Sequence, residues 1–308
     1  MGLTGVGAGD GPKEATVRSL GGIAAGALVL LLVPCVATAS GFFDNLVLSP
    51  RAQAMGGAFV ALSDDETAVF TNPAALALQD GRGVYASYVD LYGYDFLKLG
   101  SAAAAVPTGF GTVGVGVRYL AVDYDGNDLE SEYAVTAAHG FTLMADAHSS
   151  LSFGYGLSLY GLSFPTESVG GEDLGSANTV GVDVGLLGTM RGRTRFGFFA
   201  KNLNNPKLGD PDAKDLPQWF TGGVAYSPYG GVQTTLELQK QDNEDLRACA
   251  GFEFAITDYV TLRGGLQNQP NRMSAGFGAR WKQIRVDYTY TSHSVLPGSH
   301  NFGLGVTF

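Results

Sequence analysis

Residues 272–291 read RMSAGFGARWKQIRVDYTYT, and this stretch decides the fold. Every second residue is apolar: Met, Ala, Phe, Ala and Trp in the first half, then Ile, Val, Tyr and Tyr after the turn at Lys282-Gln283. Successive side chains of a β-strand point to opposite faces. Each half therefore predicts a strand with one apolar face and one face of glycine, hydroxyl and charged residues, and the two halves together predict a hairpin.

The same alternation recurs from residue 84 to the end of the chain, in segments of about ten residues separated by turns. An even number of such segments suits a closed antiparallel barrel, which leaves no strand edge unpaired. A soluble β-sandwich also alternates, but its strands are often short and its apolar face is turned inward. Here the large aromatics Tyr259, Trp281 and Tyr290 stand near segment ends, as in the girdles of membrane barrels. We count fourteen segments: 84–92, 97–106, 112–124, 131–143, 149–163, 176–189, 194–201, 217–226, 231–240, 246–256, 259–267, 272–281, 284–292 and 300–308.

The composition agrees with an all-β membrane protein and excludes several other classes. Charged residues make up 16% of the 308 residues, against about 25% in a soluble domain. The net charge of −10 offers no basic surface for nucleic acid. Cys35 and Cys249 allow neither a disulfide framework nor a CxxC metal site. His293, Ser294 and His300 have no spacing that singles out a nucleophile, so we predict no enzymatic activity, no cofactor and no metal.

Charges inside the segments fall opposite the apolar residues, with His139 as the exception. On the lipid side, each charge would cost on the order of 2–4 kcal/mol at the membrane mid-plane. We therefore predict that they face the lumen. There they either select solutes or, as we favour, pair with one another and hold the barrel in shape. These charged residues are Arg118, Asp183, Glu237, Arg247, Glu253, Arg263, Arg280, Arg285 and Asp287.

The end of the chain sets the predicted orientation. A terminal strand that closes on an aromatic residue, here Phe308, looks like the signal read by the outer-membrane barrel assembly machinery. If Phe308 is periplasmic, the connections between strands lie alternately on the two sides of the membrane, counted backwards from the end of the chain. The outer connections are then long and acidic and the periplasmic ones are short, as is typical of outer-membrane barrels. We therefore predict an integral protein of the cell outer membrane, surrounded by outer-membrane lipid.

The chain divides into three predicted parts. Lys13 and Arg18 precede an apolar run, and Ala37-Thr38-Ala39 forms a cleavage site, so residues 1–39 are predicted to be a cleaved signal peptide. An uncleaved anchor helix is the alternative, but the run is short for a bilayer span. Residues 40–82 do not alternate and form the hatch. Residues 83–308 form the barrel.

The hatch is predicted to fill the lumen, because a barrel of this size is too wide for its own side chains to fill. Asn72-Pro73-Ala74 predicts a rigid corner inside the barrel or at its periplasmic mouth. Gly56-Gly57 is either a hinge or, as we favour, a place of close backbone packing against the wall. The acidic run 64–66 is expected to meet lumenal arginines such as Arg263, Arg280 or Arg285.

The hatch resembles a known family. Arg51, Met55-Gly56-Gly57-Ala58 and Asn72-Pro73-Ala74 are similar to the N-terminal hatch of the long-chain fatty acid transporter (FadL) superfamily, and more specifically to its PorV/PorQ branch. The resemblance implies a 14-stranded barrel and leaves two roles open. One is passage of small hydrophobic molecules through a gated lumen. The other is a plugged scaffold or shuttle for secreted proteins in type IX-like secretion.

Overall fold

The computed structural model describes residues 49–125, 127–164, 175–209, 214–242 and 244–308. The predicted signal peptide and residues 40–48 of the predicted hatch lie outside the described residues. Fourteen strands close into one barrel, in which every strand is antiparallel to both of its neighbours and the first strand pairs with the last. The strand numbers run to sixteen because β8 and β9 lie outside the barrel. They are β1 (Gly83–Asp90), β2 (Leu97–Thr108), β3 (Gly111–Tyr124), β4 (Asn127–Ala145), β5 (Ser149–Ser163), β6 (Ser176–Met190), β7 (Thr194–Lys201), β10 (Trp219–Tyr226), β11 (Val232–Gln241), β12 (Arg247–Ala255), β13 (Val260–Gln267), β14 (Arg272–Trp281), β15 (Ile284–Thr291) and β16 (Ser299–Thr307).

The barrel confirms the predicted fold class, and all fourteen predicted segments are strands. The other boundaries agree with the predicted ones to within two residues, but β4 begins at Asn127 rather than at residue 131. The pairing of β3 with β4 continues past a register shift between Val122 and Asp123, and Asp125 then turns the chain at a φ of 54°. Asp128 and Glu130, which lie between two predicted segments, therefore extend the hairpin.

One predicted loop also contains a strand pair. Within residues 202–218, β8 (Lys207–Leu208) and β9 (Lys214–Asp215) form a separate two-stranded sheet. Alternation over ten residues does not reveal strands that are two residues long.

The strand connections define two ends of the barrel. The long-loop end carries the connections after β1, β3, β5, β7, β11, β13 and β15, and the short-turn end carries the others together with Phe308. The side chain of Phe308 is exposed, and its backbone N–H donates to the carbonyl of Arg82 at 2.8 Å. No described helix is long and apolar enough to cross a membrane.

The outer face of the barrel is apolar, and the inner face carries the charges. Exposed side chains include Val115, Leu157, Phe252 and Leu304, and each belongs to the apolar register of its strand. His139 lies on this outer face near the short-turn end. It contacts Phe110, which is 5.5 Å away between ring centroids, and Phe141, which is 5.3 Å away. An aromatic setting at a barrel end explains why this histidine is tolerated among outward residues.

The described part of the hatch folds inside the barrel. It contains helix α1 (Pro50–Ala54), helix α2 (Ala68–Thr71) and a 3-10 helix (Pro73–Leu78). Nearly all of its apolar side chains are buried, including Met55, Phe59, Leu62 and Leu76. A segment of small and apolar residues thus replaces water as the filling of the lumen, as the sequence led us to expect.

Candidate gate in the barrel lumen

The described part of the hatch begins with a short capped helix. The hydroxyl of Ser49 accepts from the backbone N–H of Ala52 at 3.5 Å, and Pro50 occupies the first helical position. Gly56 and Gly57 then adopt φ values of 67° and 84°, a left-handed region that favours glycine. This turn ends α1, which packs on β13 to β15.

Beyond the turn, the hatch backbone is bound by β11. The carboxylate of Glu237 accepts from the backbone N–H groups of Phe59 and Val60, each at 2.7 Å. The side chain of Gln239 donates to the same carboxylate at 2.7 Å and to the carbonyl of Gly57 at 3.4 Å. Glu237 therefore anchors the hatch through backbone contacts.

Glycines on the lumenal face of the wall allow the hatch backbone to approach closely. A Cβ at Gly56 of the hatch would lie 2.6 Å from the carbonyl oxygen of Leu266 in β13. A Cβ at Gly154 of β5 would overlap the backbone of Pro73 and Ala74. Close packing against the wall is thus a sufficient reason for glycine at position 56, and no hinge is needed to explain it. Other wall glycines with hatch atoms in the position of a Cβ are Gly116, Gly140, Gly185, Gly197, Gly251, Gly265 and Gly276.

Asn72-Pro73-Ala74 lies fully inside the lumen. The side-chain amide of Asn72 donates to the carbonyls of Val60 at 2.9 Å and Leu186 at 3.2 Å. Its oxygen accepts from the backbone N–H of Ala74 at 3.1 Å and caps the 3-10 helix. One side chain therefore ties two parts of the hatch to each other and to β6.

At the short-turn end, charges join the hatch to the wall. We call this set the ionic latch: Arg51, Asp64, Asp65 and Glu66 of the hatch with Arg195, Glu253, Arg263, Arg285 and Asp287 of the wall. Arg51 lies at its centre. It reaches Asp64 at 2.5 Å, Glu253 at 2.9 Å and Asp65 at 3.4 Å.

A second branch of the ionic latch is formed by β13 and β15. Arg285 contacts Glu66 at 3.1 Å and Asp65 at 3.7 Å. Arg263 holds Glu253 at 2.7 Å and Asp287 at 2.6 Å, which connects this branch to the one around Arg51. Each carboxylate of the ionic latch thereby contacts at least one guanidinium, which offsets the cost of burying its charge.

The two sides of the ionic latch have complementary charge. The hatch contributes one arginine against three acids, and the wall contributes three arginines against two acids. Burial raises the pKa of the Asp65 carboxyl, but the guanidiniums of Arg285 and Arg51 outweigh it and hold the pKa below the ordinary 3.8. Asp65 is therefore ionised in the docked hatch at neutral pH.

A small cavity adjoins the docked hatch. A cavity of about 30 Å³ lies between hatch and wall, room for roughly two water molecules. Its lining includes Phe70 and Thr71 of the hatch and Arg118, Thr221 and Glu237 of the wall. A molecule larger than this cavity fits between hatch and wall at this place only if the hatch moves.

The lumen is also covered at the long-loop end. Leu208 of β8 and Leu216, which follows β9, are buried in a cluster with Val89, Leu99 and Tyr160 of the wall. The described residues of the connection between β7 and β10, 202–209 and 214–218, thus lie over the long-loop end of the lumen, and we call the pair of β8 and β9 the covering hairpin.

Solved structures share this architecture. The Pseudomonas putida toluene transporter TodX matches with a TM-score of 0.59 and 11% identity, over 84% of this chain and 98% of that one. CymD, a monoaromatic hydrocarbon channel, matches with a TM-score of 0.59 and 12% identity, over 86% of this chain and 97% of that one.

The chain has the fold of these hydrocarbon channels. A Pseudomonas aeruginosa FadL homologue also matches, with a TM-score of 0.53 and 14% identity, over 84% of this chain and 96% of that one. No protein-family model matches the chain, and no curated protein matches it in sequence.

Within this fold, the residues singled out by the sequence divide into groups. Arg51, Glu253, Arg263, Arg285 and Asp287 meet in the ionic latch, whereas Met55, Gly56, Gly57, Asn72, Pro73 and Ala74 form close contacts between hatch and wall.

The remaining lumen charges have other partners. Asp183 accepts from the hydroxyl of Ser158 and from the backbone N–H of Asn202, each at 2.9 Å. The Arg118 guanidinium lies 5.3 Å from the ring centroid of Phe70 and forms no ion pair within the described residues. Arg247 donates to the carbonyl of Gln269 at 2.9 Å.

Two details of the expected pairing differ in the structure. Arg263 contacts acids of the wall rather than the acidic run of the hatch, and Arg280 is exposed near the end of its strand. Arg195, which sequence reasoning did not select, contacts Asp64 at 3.3 Å. The available signal was its position on the same face of β7 as Gly197, which packs on Val60.

Proposed function

We propose that this protein is an outer-membrane channel that passes small hydrophobic molecules, with the hatch as its gate. In this proposal, residues 1–39 are removed on export and the barrel assembly machinery recognises the terminal strand with Phe308. The short-turn end then faces the periplasm and the long-loop end faces the cell exterior. Membrane lipid surrounds the apolar outer face.

The observation that carries the proposal is the way the hatch is held. Its docking combines apolar packing with buried ion pairs and hydrogen bonds, in a barrel that shares its fold with hydrocarbon channels. Buried ion pairs add less net stability than apolar packing of the same volume. Polar contacts of this kind therefore suit an interface that opens and closes reversibly. An interface that stays closed would be better served by apolar packing alone.

The neighbours suggest which solutes to test. TodX is a toluene transporter and CymD is a monoaromatic hydrocarbon channel. We propose uncharged molecules of this polarity as substrates. Solutes with a permanent charge would have to shed their hydration among the apolar residues of the hatch and covering hairpin, at considerable cost.

Flux measurements test the proposal directly. Purified mature protein is reconstituted in liposomes that enclose an enzyme acting on toluene, and toluene entry is compared with entry of a sugar of similar size. We expect the protein to speed toluene entry selectively over protein-free liposomes. Deletion of residues 49–79 should raise the single-channel conductance of a planar bilayer and abolish the selectivity. Unchanged conductance after the deletion would contradict the gating role.

A second candidate is the plugged scaffold for secreted proteins, favoured by the burial of the described hatch inside the lumen. This role predicts that neither toluene nor the sugar enters faster than through protein-free liposomes. It also predicts stable co-purification of a defined secreted protein from mildly solubilised membranes. The flux measurement thus separates the two candidates before any partner is identified.

A further inference from the structure

Arg118 is a buried cation of the lumen that the ionic latch does not use. It lies on β3 and is 4% exposed, and its Cα partners on the neighbouring strands are the uncharged residues Ser101 and Ala134. Within the described residues it forms no ion pair, and its buried Nε has no hydrogen-bond partner. Burial of a charge without a counter-charge is costly, so an anion beside Arg118 would stabilise the docked protein.

The hatch contributes an aromatic ring to this guanidinium. The guanidinium carbon of Arg118 lies 5.3 Å from the ring centroid of Phe70. A cation–π contact offsets part of the cost of burial, but the ring supplies no lone pair for the N–H groups. Arg118 also lines the cavity of about 30 Å³ between hatch and wall. The guanidinium therefore has space beside it in which an acceptor fits.

A second donor lines the same cavity. Thr221 of β10 is 4% exposed, and within the part of the chain that the structure describes its hydroxyl has no hydrogen-bond partner. Thr71 of the hatch lines the cavity too, but its hydroxyl is bonded to that of Ser63 at 2.9 Å and donates to the carbonyl of Thr67 at 3.3 Å. A hydroxyl and a guanidinium on one cavity can donate to the same anion.

Glu237 also lines the cavity, but its carboxylate is already supplied with donors. It accepts from two backbone N–H groups of the hatch and from the side chain of Gln239, each at 2.7 Å. The side-chain oxygen of Gln239 in turn accepts from the guanidinium of Arg247 at 3.5 Å. Glu237 is thus connected through Gln239 to a cation on the neighbouring strand. Among the described residues of the lining, Arg118 is the charge that is left without compensation.

We infer that this cavity binds one small monovalent anion, of the size of chloride or bromide, through Arg118 and Thr221. The cavity has room for roughly two water molecules, so it admits a halide ion and excludes an organic anion of several carbon atoms. Phe70 and Thr71 of the hatch line the same cavity, so the anion lies between hatch and wall. A ligand that binds only the docked arrangement stabilises it by mass action.

Chloride should therefore slow the undocking of the hatch. Ala75 of the hatch is fully buried, so Ala75→Cys, in mature protein with Cys249→Ala, reports undocking by its reaction with a bulky maleimide. The rate is measured in sodium chloride and in sodium gluconate at one sodium concentration, so that ionic screening is equal; gluconate is too large for the cavity. At about ten times the Kd for chloride, the rate should be about tenfold lower than in gluconate, because the docked state gains a factor of 1 + [L]/Kd.

Two buried threonines supply a matched pair of variants. Thr221→Val removes the hydroxyl that lines the cavity and should raise the chloride concentration of half-maximal effect roughly tenfold, because a hydrogen bond to an ion is lost. Thr235→Val removes a hydroxyl of β11 that is also buried and without a partner in the described residues, but outside the described lining of the cavity. It should leave the chloride dependence unchanged. Arg118→Gln should abolish the dependence, since no charge then faces the anion.

Anomalous diffraction from crystals soaked in sodium bromide locates the ion directly. We expect a bromide peak within hydrogen-bond distance of Arg118 and Thr221. A cavity that holds only water gives no peak and overturns the site. A peak together with equal labelling rates in chloride and gluconate overturns the stabilisation of the docked hatch, and so do equal shifts for Thr221→Val and Thr235→Val.

The liposome flux assay separates this inference from the proposed function. A bromide peak without selective toluene entry means that the anion site stands and the channel role is wrong. Selective toluene entry without a peak means that the channel role stands and the anion site is wrong. Heat-modifiable migration of each variant in gel electrophoresis verifies that its barrel is folded.

Discussion

Replacement of Arg51 by Gln tests whether the ionic latch holds the hatch. Arg51 contacts Glu253, Asp64 and Asp65, and its guanidinium carbon lies 5.3 Å from the ring centroid of Phe59. Its side chain is only 10% exposed, so water screens these contacts little. Glutamine keeps a polar side chain of shorter reach but removes the positive charge.

The expected effect follows from what each partner retains. Loss of one partner of a buried ion pair costs about 3–5 kcal/mol. Glu253 keeps Arg263 at 2.7 Å and Asp64 keeps Arg195 at 3.3 Å, so we take the lower limit of about 3 kcal/mol. At about 1.4 kcal/mol for each factor of ten, the ratio of undocked to docked hatch rises roughly a hundredfold.

A buried cysteine reports undocking. Ala75 is fully buried in the docked hatch, so a cysteine at this position is shielded from reagents in solution. In a background with Cys249→Ala, Ala75→Cys should react slowly with a bulky maleimide, and Arg51→Gln should speed the reaction by up to a hundredfold, the factor estimated above. Single-channel recordings of the same variant should show a matching rise in open probability.

An exposed ion pair elsewhere supplies the control. Lys98 contacts Asp123 at 2.7 Å near the long-loop end, and the Lys98 side chain is 55% exposed. Lys98→Gln also removes a cation, but exposed pairs contribute about 0–1 kcal/mol, and this one does not touch the hatch. Equal reaction rates for Arg51→Gln and Lys98→Gln would refute the reasoning, because the ionic latch would then contribute nothing to docking.

Further predictions concern the backbone anchors and the pH dependence. Gly154→Ala should lower the free energy of unfolding, measured by thermal denaturation, by about 1–3 kcal/mol, because a Cβ there overlaps the hatch backbone. Gly222→Ala is the control. A Cβ at Gly222 meets open space, so the free energy of unfolding should change by less than about 0.5 kcal/mol. Glu237→Ala should speed maleimide labelling of the hatch roughly tenfold or more, because the buried N–H groups of Phe59 and Val60 lose their acceptor. An unchanged rate would count against this anchor. The pKa of Asp65 is lowered on folding, so its contribution to docking should be complete above its ordinary value of 3.8 and disappear only as the pH falls through the lowered value. The open probability in single-channel recordings from pH 7 to pH 3 should therefore rise only at the acid end, and less so in Asp65→Asn.

The sequence alone determined the barrel and its inside and outside. Side chains of a strand alternate between its two faces, so Ile284 and Arg285 must lie on opposite faces. Each uninterrupted run of alternation marks one strand, so the same pattern also gives the number of strands. The cost of a charge in lipid then assigns the apolar face to the exterior. The two features that the pattern missed, the early start of β4 and the β8–β9 pair, involve bulges and two-residue strands, which have no period to detect.

Pairing across the lumen was decided by the tertiary structure. The sequence could state that Asp64, Asp65 and Glu66 need cations, but the distance along the chain does not tell which arginine stands opposite. Arg195, Arg263 and Arg285 come from three different strands, and only strand register and the path of the hatch bring two of them to the acidic run and leave Arg263 on the wall. The same holds for Leu208 and Leu216, because loop residues carry no periodic signal and their burial depends on where the closed barrel places its mouth.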